Sequence, residues 1–192
     1  MEQKPFISIQ APLDEASARK LESGDRILLS GTLYTLRDAG HQKLIDCLKA
    51  GKEPPFPLEN AFLYYVGPSP ATRGRPIGSA GPTTASRMDP FTPYLIERGL
   101  RGMIGKGHRD SSVIEAMKRH GAVYFAATGG AGALLSKTIL KSEIIAWEEL
   151  GPEAMRCLEV RDMPLTVIID SRGRNLYQEG PRAWRLRQGY CQ

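Results

Sequence analysis

Short apolar runs alternate with segments of helical pattern between about residues 61 and 140. Parallel strands cannot be joined by a hairpin and need a crossover, which is usually a helix. The alternation therefore predicts an α/β fold with parallel strand pairing. Its three apolar runs lie at 61–66, 102–105 and 122–127, and its two helical patterns lie at 87–98 and 111–119.

Both ends of the chain are rich in further strand patterns. These strand-rich ends bracket the alternating region and favour a mixed sheet over a purely parallel one. We predict a mixed sheet flanked by helices. The added strands lie at 6–9, 26–30, 139–147, 157–160 and 165–170, and the added helices at 15–21 and 37–50.

The length and composition are those of an ordinary soluble domain. The chain has 192 residues, of which 41% are hydrophobic and 24% charged, so it is long enough to bury a sizeable core. We see no internal repeat and no low-complexity segment. The prediction is a single domain over residues 1–192, with about 172–192 as a C-terminal tail.

The basic balance favours anionic partners only weakly. The net charge is +5, and most basic residues are dispersed along the chain. A basic run near a terminus is most often a solvated tail, with nucleic-acid binding as the alternative reading. We predict no nucleic-acid partner. The exception to the dispersion is a group of C-terminal arginines, Arg172, Arg174, Arg182, Arg185 and Arg187.

Cysteine usage and hydropathy indicate the compartment. Cys47, Cys157 and Cys191 are far apart and follow no metal-ligand spacing, and an odd number of cysteines argues against a closed disulfide framework. The N-terminus lacks the apolar core of a signal peptide, and no apolar run approaches the roughly 18 residues of a membrane span. We expect a cytoplasmic protein with no membrane association and no metal site made by this chain alone.

The loop over residues 81–89 has the composition of an anion receptor. Gly81 and Pro82 punctuate the backbone, and Thr83 and Thr84 supply hydroxyl groups before a predicted helix start. Arg87 follows where the helix N-terminus already favours an anion. The alternative is an ordinary capped loop with a surface arginine.

Three cations each lie where a strand or loop meets a helix: Arg37, Arg87 and Lys106. Ligands of α/β sheets collect at the carboxyl ends of the strands, where we expect these cations to converge. Two guanidinium forks suit the two carboxylates of a small dianion, with Thr83 and Thr84 as hydroxyl neighbours. His41, four residues after Arg37, shares its helix face.

The glycine-rich segments do not predict a nucleotide site. Residues 128–132 lack the G-x-G-x-x-G spacing of a dinucleotide fingerprint, and 105–107 lacks that of a P-loop. Tight helix–strand packing is the better interpretation of 128–132. No Ser-His-Asp arrangement stands out either, so the three cations and the threonine loop remain the candidate chemistry.

These segments together resemble a known family. GTLYTLRDAGH at 31–41, IGSAGPTTASRMD at 77–89 and GKG at 105–107 are similar to the β subunit, or C-terminal region, of class I iron–sulfur fumarate hydratases and L-tartrate dehydratases. The resemblance covers about residues 12–170, with three motifs in the right order and spacing. The chain departs from the family pattern at Ser86, Gly40 and His108, which leaves the substrate open.

The resemblance implies a fold, a cofactor and a partner. The fold is a swivelling β/β/α domain that closes over a [4Fe–4S] cluster. Three cysteines of a partner α subunit or region hold that cluster, and the unligated iron acts as a Lewis acid on the substrate hydroxyl. We therefore expect a hetero-oligomer that is active only with its α partner.

The resemblance also implies roles for individual residues. By family analogy, cations bind the substrate carboxylates and a threonine acts as catalytic base, with nearby residues in support. A threonine hydroxyl is a poor base unless its alkoxide is strongly stabilised, which neighbouring cations and the helix N-terminus help to do. The roles are catalytic for Thr83, substrate binding for Arg37, Arg87 and Lys106, and supporting for His41, Gly81 and Thr84.

The reaction that this resemblance implies is the hydration of a small dicarboxylate. We predict the reversible hydration of fumarate to malate, a step of the tricarboxylic acid cycle. The alternatives are an L-tartrate dehydratase β subunit, which would convert tartrate to oxaloacetate, and a non-enzymatic binding module for small anions or RNA.

Overall fold

The structure is a computed structural model that describes residues 4–127 and 130–187. Within that part of the chain, strands and helices alternate as the apolar pattern predicts. The strands are β1 (Phe6–Ala11), β2 (Arg26–Thr35), β3 (Phe62–Tyr64), β4 (Gly102–Gly105), β5 (Val123–Ala126), β6 (Ile139–Ala146) and β7 (Met155–Ile169). The α-helices are α1 (Glu15–Ala18), α2 (Asp38–Lys49), α3 (Thr92–Ile96), α4 (Ser111–His120), α5 (Gly132–Leu135) and α6 (Leu176–Arg187). Short 3₁₀ segments lie at Ala85–Met88, Ser136–Thr138 and Glu148–Glu153.

The strands form one mixed sheet in the order β1-β2-β3-β4-β5-β7-β6, with an additional pairing of β2 and β7. Strands β1 to β5 pair in parallel, and β7 is antiparallel to β2, β5 and β6. Because β7 pairs with both β2 and β5, strands β2, β3, β4, β5 and β7 close into a ring. The predicted mixed sheet flanked by helices is confirmed.

Two apolar cores lie on the two faces of this ring. Side chains point alternately to opposite faces along a strand, and on β3 Phe62 and Tyr64 join one core while Leu63 joins the other. The first core fills the ring, with Ile27 and Leu29 of β2 among its members. The second core, which we call the outer core, lies beneath helices α2, α3 and α4, whose buried contributors are Leu44, Ile45, Leu95, Ile96, Val113, Ala116 and Met117.

The segments that leave β2, β3 and β4 all emerge at the carboxyl edge of the parallel strands. Helix α2 follows β2, and the 3₁₀ segment Ala85–Met88 lies on the connection that follows β3. Helix α4 follows β4 and is capped by Asp110, whose side chain accepts from the Ser112 amide at 2.9 Å. The side chains at the starts of these segments therefore share one edge, as expected for a parallel sheet.

Several element boundaries differ from the sequence prediction: β2 continues to Thr35 instead of ending at residue 30, and α1 ends at Ala18 instead of residue 21. The helix expected over 87–98 is instead Ala85–Met88 followed by the short α3, because prolines at 90 and 93 interrupt the backbone pattern. The strands expected at 157–160 and 165–170 are one long strand, β7, in which Glu159, Arg161 and Asp162 are exposed.

The segment predicted as a C-terminal tail, about residues 172–192, is helical over part of its length. Helix α6 occupies Leu176–Arg187 and continues through Pro181. Its first residues Leu176 and Tyr177 pack against the outer core, whereas the side chains at 181–186 are exposed. The basic residues of this segment are typical of a tail, whereas the first turn of α6 is apolar. Thr128, Gly129 and Cys191, which figured in the sequence analysis, lie outside the described residues.

Among residues 4–127 and 130–187, no helix combines the length and apolar character needed to cross a membrane.

Candidate functional site

Arg37 lies at the junction of β2 and α2, at the N-cap position of the helix. Its backbone is extended, and its side chain makes no capping hydrogen bond. The guanidinium instead lies 3.1 Å from Glu153 Oε1 and 3.7 Å from Asp38 Oδ2. Gly67 provides the space for it, since a Cβ there would lie 2.7 Å from Arg37 Nη1. The N-cap arginine is thus held by carboxylates at the carboxyl edge of the sheet.

Arg87 meets the same carboxylate from another segment. It belongs to the 3₁₀ segment Ala85–Met88, and its Nη1 lies 3.5 Å from Asp38 Oδ2. Its side chain is 45% exposed. Arg37, Asp38 and Arg87 line an open pocket with Ala39, Leu150, Pro152 and Glu153. The structure therefore brings together two predicted site residues that are 50 positions apart in the chain (37 and 87) and places one carboxylate between them.

Thr83 is anchored to the end of β3 through the residue that follows that strand. Its hydroxyl donates to the Tyr65 carbonyl oxygen at 2.8 Å, and its amide donates to the same oxygen at 2.8 Å. The side chain is half-buried. Two hydrogen bonds to one acceptor fix both the backbone and the orientation of the Thr83 hydroxyl oxygen.

Lys106 is joined to the threonine loop by backbone pairing. Its amide donates to the Thr83 carbonyl at 3.2 Å, and its carbonyl accepts from the Ala85 amide at 2.9 Å. This forms a parallel bridge between Thr84 and Lys106, and both of these side chains are exposed. The loop after β4 is thereby fixed beside the loop that carries Thr83 and Arg87.

Gly81 contributes through its backbone. The neighbouring Ala80 amide donates to the Gly132 carbonyl at 3.0 Å, and a Cβ on Gly132 would lie 2.8 Å from the Gly81 nitrogen. The threonine loop therefore packs closely on the start of α5. The sequence predicts tight helix–strand packing for the glycine-rich segment 128–132, and its described end, Gly132, packs against this loop instead.

His41 lies beneath the site. Its side chain is fully buried, with Nδ1 2.9 Å from the Arg37 carbonyl oxygen and its ring beside those of Tyr65 and Phe91. Because a carbonyl only accepts, Nδ1 carries the proton. The pKa of His41 is lowered to about 4, chiefly by burial and also by the nearby charge of Arg109, although the hydrogen bond to the Arg37 carbonyl and the charge of Asp38 oppose this shift. His41 is therefore neutral at pH 7 and supports Arg37 from below.

Comparison with known proteins identifies the family of this constellation. The family model described as "Fumarase C-terminus" matches residues 2–180. The chain belongs to the Fumarase C-terminus family. The predicted family resemblance is confirmed.

Relatives of the Fumarase C-terminus family include both long and short chains. "Fumarate hydratase class I, anaerobic" of Escherichia coli (strain K12) is 36% identical over 177 residues, which are 90% of this chain and 32% of that protein. "Fumarate hydratase 2" of Leishmania major is 33% identical over 90% of this chain and 31% of its own length. This chain thus spans about a third of the fumarate hydratases that it matches.

One relative has nearly the same extent. The "Putative L(+)-tartrate dehydratase subunit beta" of Methanocaldococcus jannaschii is 35% identical over 173 residues, which are 87% of this chain and 89% of that protein. Within the Fumarase C-terminus family, a domain of this size therefore occurs both as a separate chain and as part of a longer one.

Sequence reasoning missed the acidic partners of the site and one buried ion pair. Asp38 and Glu153 hold the arginines, and Glu153 comes from the connection between β6 and β7. Asp89 and Arg109 form a buried salt bridge at 2.6 Å. The sequence signal is that Asp38 directly follows Arg37 and that Asp89 lies two residues after Arg87.

The described residues do not fit a metal cluster. No group of three or more histidine, cysteine, aspartate or glutamate residues within 4–127 and 130–187 is placed to hold a metal ion. Cys47 donates to backbone carbonyls at Lys52 and Glu53, and Cys157 lies on β7 opposite Tyr34 of β2. The candidate site offers guanidinium, ammonium and hydroxyl groups instead, which suit an anionic substrate.

Proposed function

We propose that this chain is the β part of an iron–sulfur-dependent hydro-lyase that interconverts malate and fumarate, with tartrate dehydration as the alternative. The observation that carries the proposal is the contact of Arg37 and Arg87 with a single carboxylate, Asp38. Arginine forks bind carboxylates with charge-assisted hydrogen bonds. In the proposed complex, a substrate carboxylate takes up the contacts that Asp38 makes in the free chain.

A third cation supports recognition of a dicarboxylate rather than a monocarboxylate. Lys106 is held beside Thr83 and Ala85 by backbone hydrogen bonds, and its side chain is exposed. We assign Arg37 and Arg87 to one carboxylate and Lys106 to the other. Gly81 and Thr84 support the loop, and His41 supports Arg37.

Thr83 is our candidate for the group that takes a proton from the substrate carbon. The bond from its hydroxyl to the Tyr65 carbonyl orients the oxygen in the resting state. A threonine becomes a base only if the negative charge that develops on its oxygen is stabilised. The proposal gives that role to the positive charges of Arg87 and Lys106.

The proposal places the [4Fe–4S] cluster on an α partner, because the described residues of this chain offer no ligand set for it. The cluster would supply Lewis-acid chemistry at the substrate hydroxyl. This chain would bind the carboxylates and handle one proton. Support for a partner comes from the short relative named as a subunit and from the long relatives, of which this chain spans a third. The proposed enzyme is cytoplasmic and hetero-oligomeric, and its β domain swivels over the cluster.

Co-expression with the neighbouring gene tests the proposal. The two chains are purified together, the cluster is reconstituted without oxygen, and fumarate absorbance is followed with malate and then oxaloacetate formation with tartrate. Arg87→Ala is expected to lower kcat/KM by about 100-fold or more, because it removes charge stabilisation in the transition state. Arg119→Ala, an exposed arginine near the end of α4, is the matched control and is expected to leave kcat/KM unchanged.

Either of two results would count against the proposal. Unchanged kcat/KM in the Arg87 variant would refute the site assignment. No turnover of either acid, together with no complex between the chains, would favour the anion-binding module.

A further inference from the structure

We propose that the buried ion pair of Asp89 and Arg109 is a positioning device that holds the Arg87 loop and the Lys106 loop at a fixed separation. Its effect on catalysis rests on the proposed function. Asp89 follows Arg87 by two residues, and Arg109 follows Lys106 by three. The pair therefore joins the two loops directly behind the side chains that we assign to the substrate.

The geometry of the pair is close and its burial is nearly complete. Arg109 Nε lies 2.6 Å from Asp89 Oδ1, and the two side chains are 0% and 9% exposed. The second carboxylate oxygen accepts from the Asp110 amide at 2.7 Å. Both oxygens of Asp89 are thus bonded to the loop after β4. Without these partners the Asp89 carboxylate would be a buried unpaired charge, which is strongly destabilising.

The other end of Arg109 returns to the Arg87 segment. Its Nη2 donates to Thr92 Oγ1 at 2.8 Å, and the Thr92 hydroxyl donates to the Met88 carbonyl at 2.8 Å. Together with Asp89, these bonds secure the two residues that directly follow Arg87. The 3₁₀ segment Ala85–Met88 has only four residues, so its own hydrogen bonds provide little rigidity.

Two tyrosines extend the same cluster to the remaining site residues. The Arg109 guanidinium carbon lies 5.4 Å from the Tyr65 ring centroid and 5.0 Å from that of Tyr124. Tyr65 provides the carbonyl that orients Thr83, and the Tyr124 hydroxyl donates to the Gly107 carbonyl at 3.1 Å. One buried guanidinium thereby contacts the supports of Thr83, Arg87 and Lys106.

A pair that served stability alone would behave differently from a positioning pair. Arg101 offers a matched comparison, because it is also a buried arginine next to β4 but precedes the strand, at the edge away from the site. It bonds to Asn60 Oδ1 and to the His120 carbonyl. Loss of either guanidinium removes a buried cation, but only Arg109 connects the two loops.

The test compares Arg109→Lys, Asp89→Asn and their double variant with Arg101→Lys in the reconstituted complex. Lysine cannot bond to Asp89 and Thr92 with the planar fork of arginine. We expect Arg109→Lys and Asp89→Asn each to lower kcat by about 100-fold, the loss typical of misplaced reacting groups, with a smaller change in KM. The double variant should lose no more than either single variant, since both changes break one connection. Arg101→Lys should change kcat by less than about twofold even where it lowers the unfolding temperature.

Amide hydrogen exchange on the full chain separates this inference from the proposed function. In Arg109→Lys, the amides of Ala85, Lys106 and Asp110 should exchange at least about tenfold faster, and those of β2 should be unchanged. The positioning role would be overturned if exchange at these three amides changed no more than exchange in β2. Equal kcat losses in the Arg109 and Arg101 variants would also overturn it. If the wild-type complex turns over no dicarboxylate, the proposed function fails, and the exchange result still decides whether the pair holds the loops.

Discussion

His41 illustrates how single residues of the site support others without reaching its surface. Its amide and its Nδ1 both lie within hydrogen-bond distance of the Arg37 carbonyl, at 2.8 and 2.9 Å. The rest of the ring lies against aromatic side chains, with Nε2 buried and unpartnered among the described residues. A protonated His41 would place a charge on that buried nitrogen, so the neutral ring is the form that the fold accommodates.

This burial predicts a pH dependence of stability. The unfolded histidine takes up a proton near pH 6.5 and the folded one only near 4, so the unfolded state binds more protons between these values. Stability is full above pH 6.5 and falls as the pH drops towards 4. At pH 5 we expect a loss of about 2 kcal/mol from this residue. Urea unfolding at pH 7.5 and 5 should show that loss in wild type and in His108→Asn, an exposed histidine, but not in His41→Asn. An equal loss of unfolding free energy between pH 7.5 and 5 in all three proteins would contradict the assignment of this loss to His41.

At the scale of elements, β3 and β4 pair closely because the facing residue on β4 is a glycine. Gly102 pairs with Phe62, and a Cβ on Gly102 would lie 2.2 Å from the Phe62 ring. Phe62 is fully buried in the core inside the ring of strands, so the ring has little room to move. The close pairing of β3 and β4 at this point depends on the absence of a Cβ at Gly102. The spacing of the loops that carry Thr83 and Lys106 depends on this pairing.

Gly102→Ala is therefore expected to destabilise the protein by about 2 kcal/mol or more through overpacking. Gly180→Ala is the control, because a Cβ there would only approach Leu176 Cδ1 at 3.9 Å within helix α6. That change should be neutral or stabilise by about 0.5 kcal/mol, since alanine favours a helix over glycine. Chemical denaturation of both variants checks the prediction, and a Gly102→Ala protein as stable as wild type would disprove the close approach.

At the scale of the whole molecule, the domain is closed by β7 and ends in a helix whose two halves differ. Leu176 and Tyr177 pack on the outer core, and the side chains at 181–186 are exposed. The family match also ends at residue 180. The packed first turn thus belongs to the folded domain, and the exposed side chains of Arg182 and Arg185 contribute little to the core.

Ending the chain after residue 180 should lower the unfolding temperature by less than about 3 °C, equivalent to roughly 1 kcal/mol for a domain of this size. Ending it after residue 174 should lower it considerably more, because Leu176 and Tyr177 are lost from the outer core. Thermal unfolding of both truncations gives the comparison. The variant that ends after residue 180 should also retain full turnover with the partner. Loss of turnover, or strong salt-dependent RNA binding that depends on 181–192, would favour the nucleic-acid alternative.

The sequence by itself determined the parallel part of the sheet and the composition of the candidate site. Apolar runs separated by helical patterns require crossovers, and parallel strands present their carboxyl ends at one edge. That is why Arg37 and Arg87, at separate strand–helix junctions, could be predicted to converge, and why they meet at Asp38. The roles of Arg37, Arg87, Thr83 and Lys106 in substrate binding and catalysis all remain predictions.

Only the tertiary structure decided how the sheet closes and what holds the site. The pairing of β2 with β7 joins residues such as Arg26 and Thr166, and no local pattern encodes an antiparallel contact across that separation. The partnership of Asp89 with Arg109 is equally invisible in the sequence, because a buried charge selects its partner by proximity after the chain has folded. Periodicity is a local property that a sequence carries, whereas closure and charge pairing are consequences of which distant segments the core brings together.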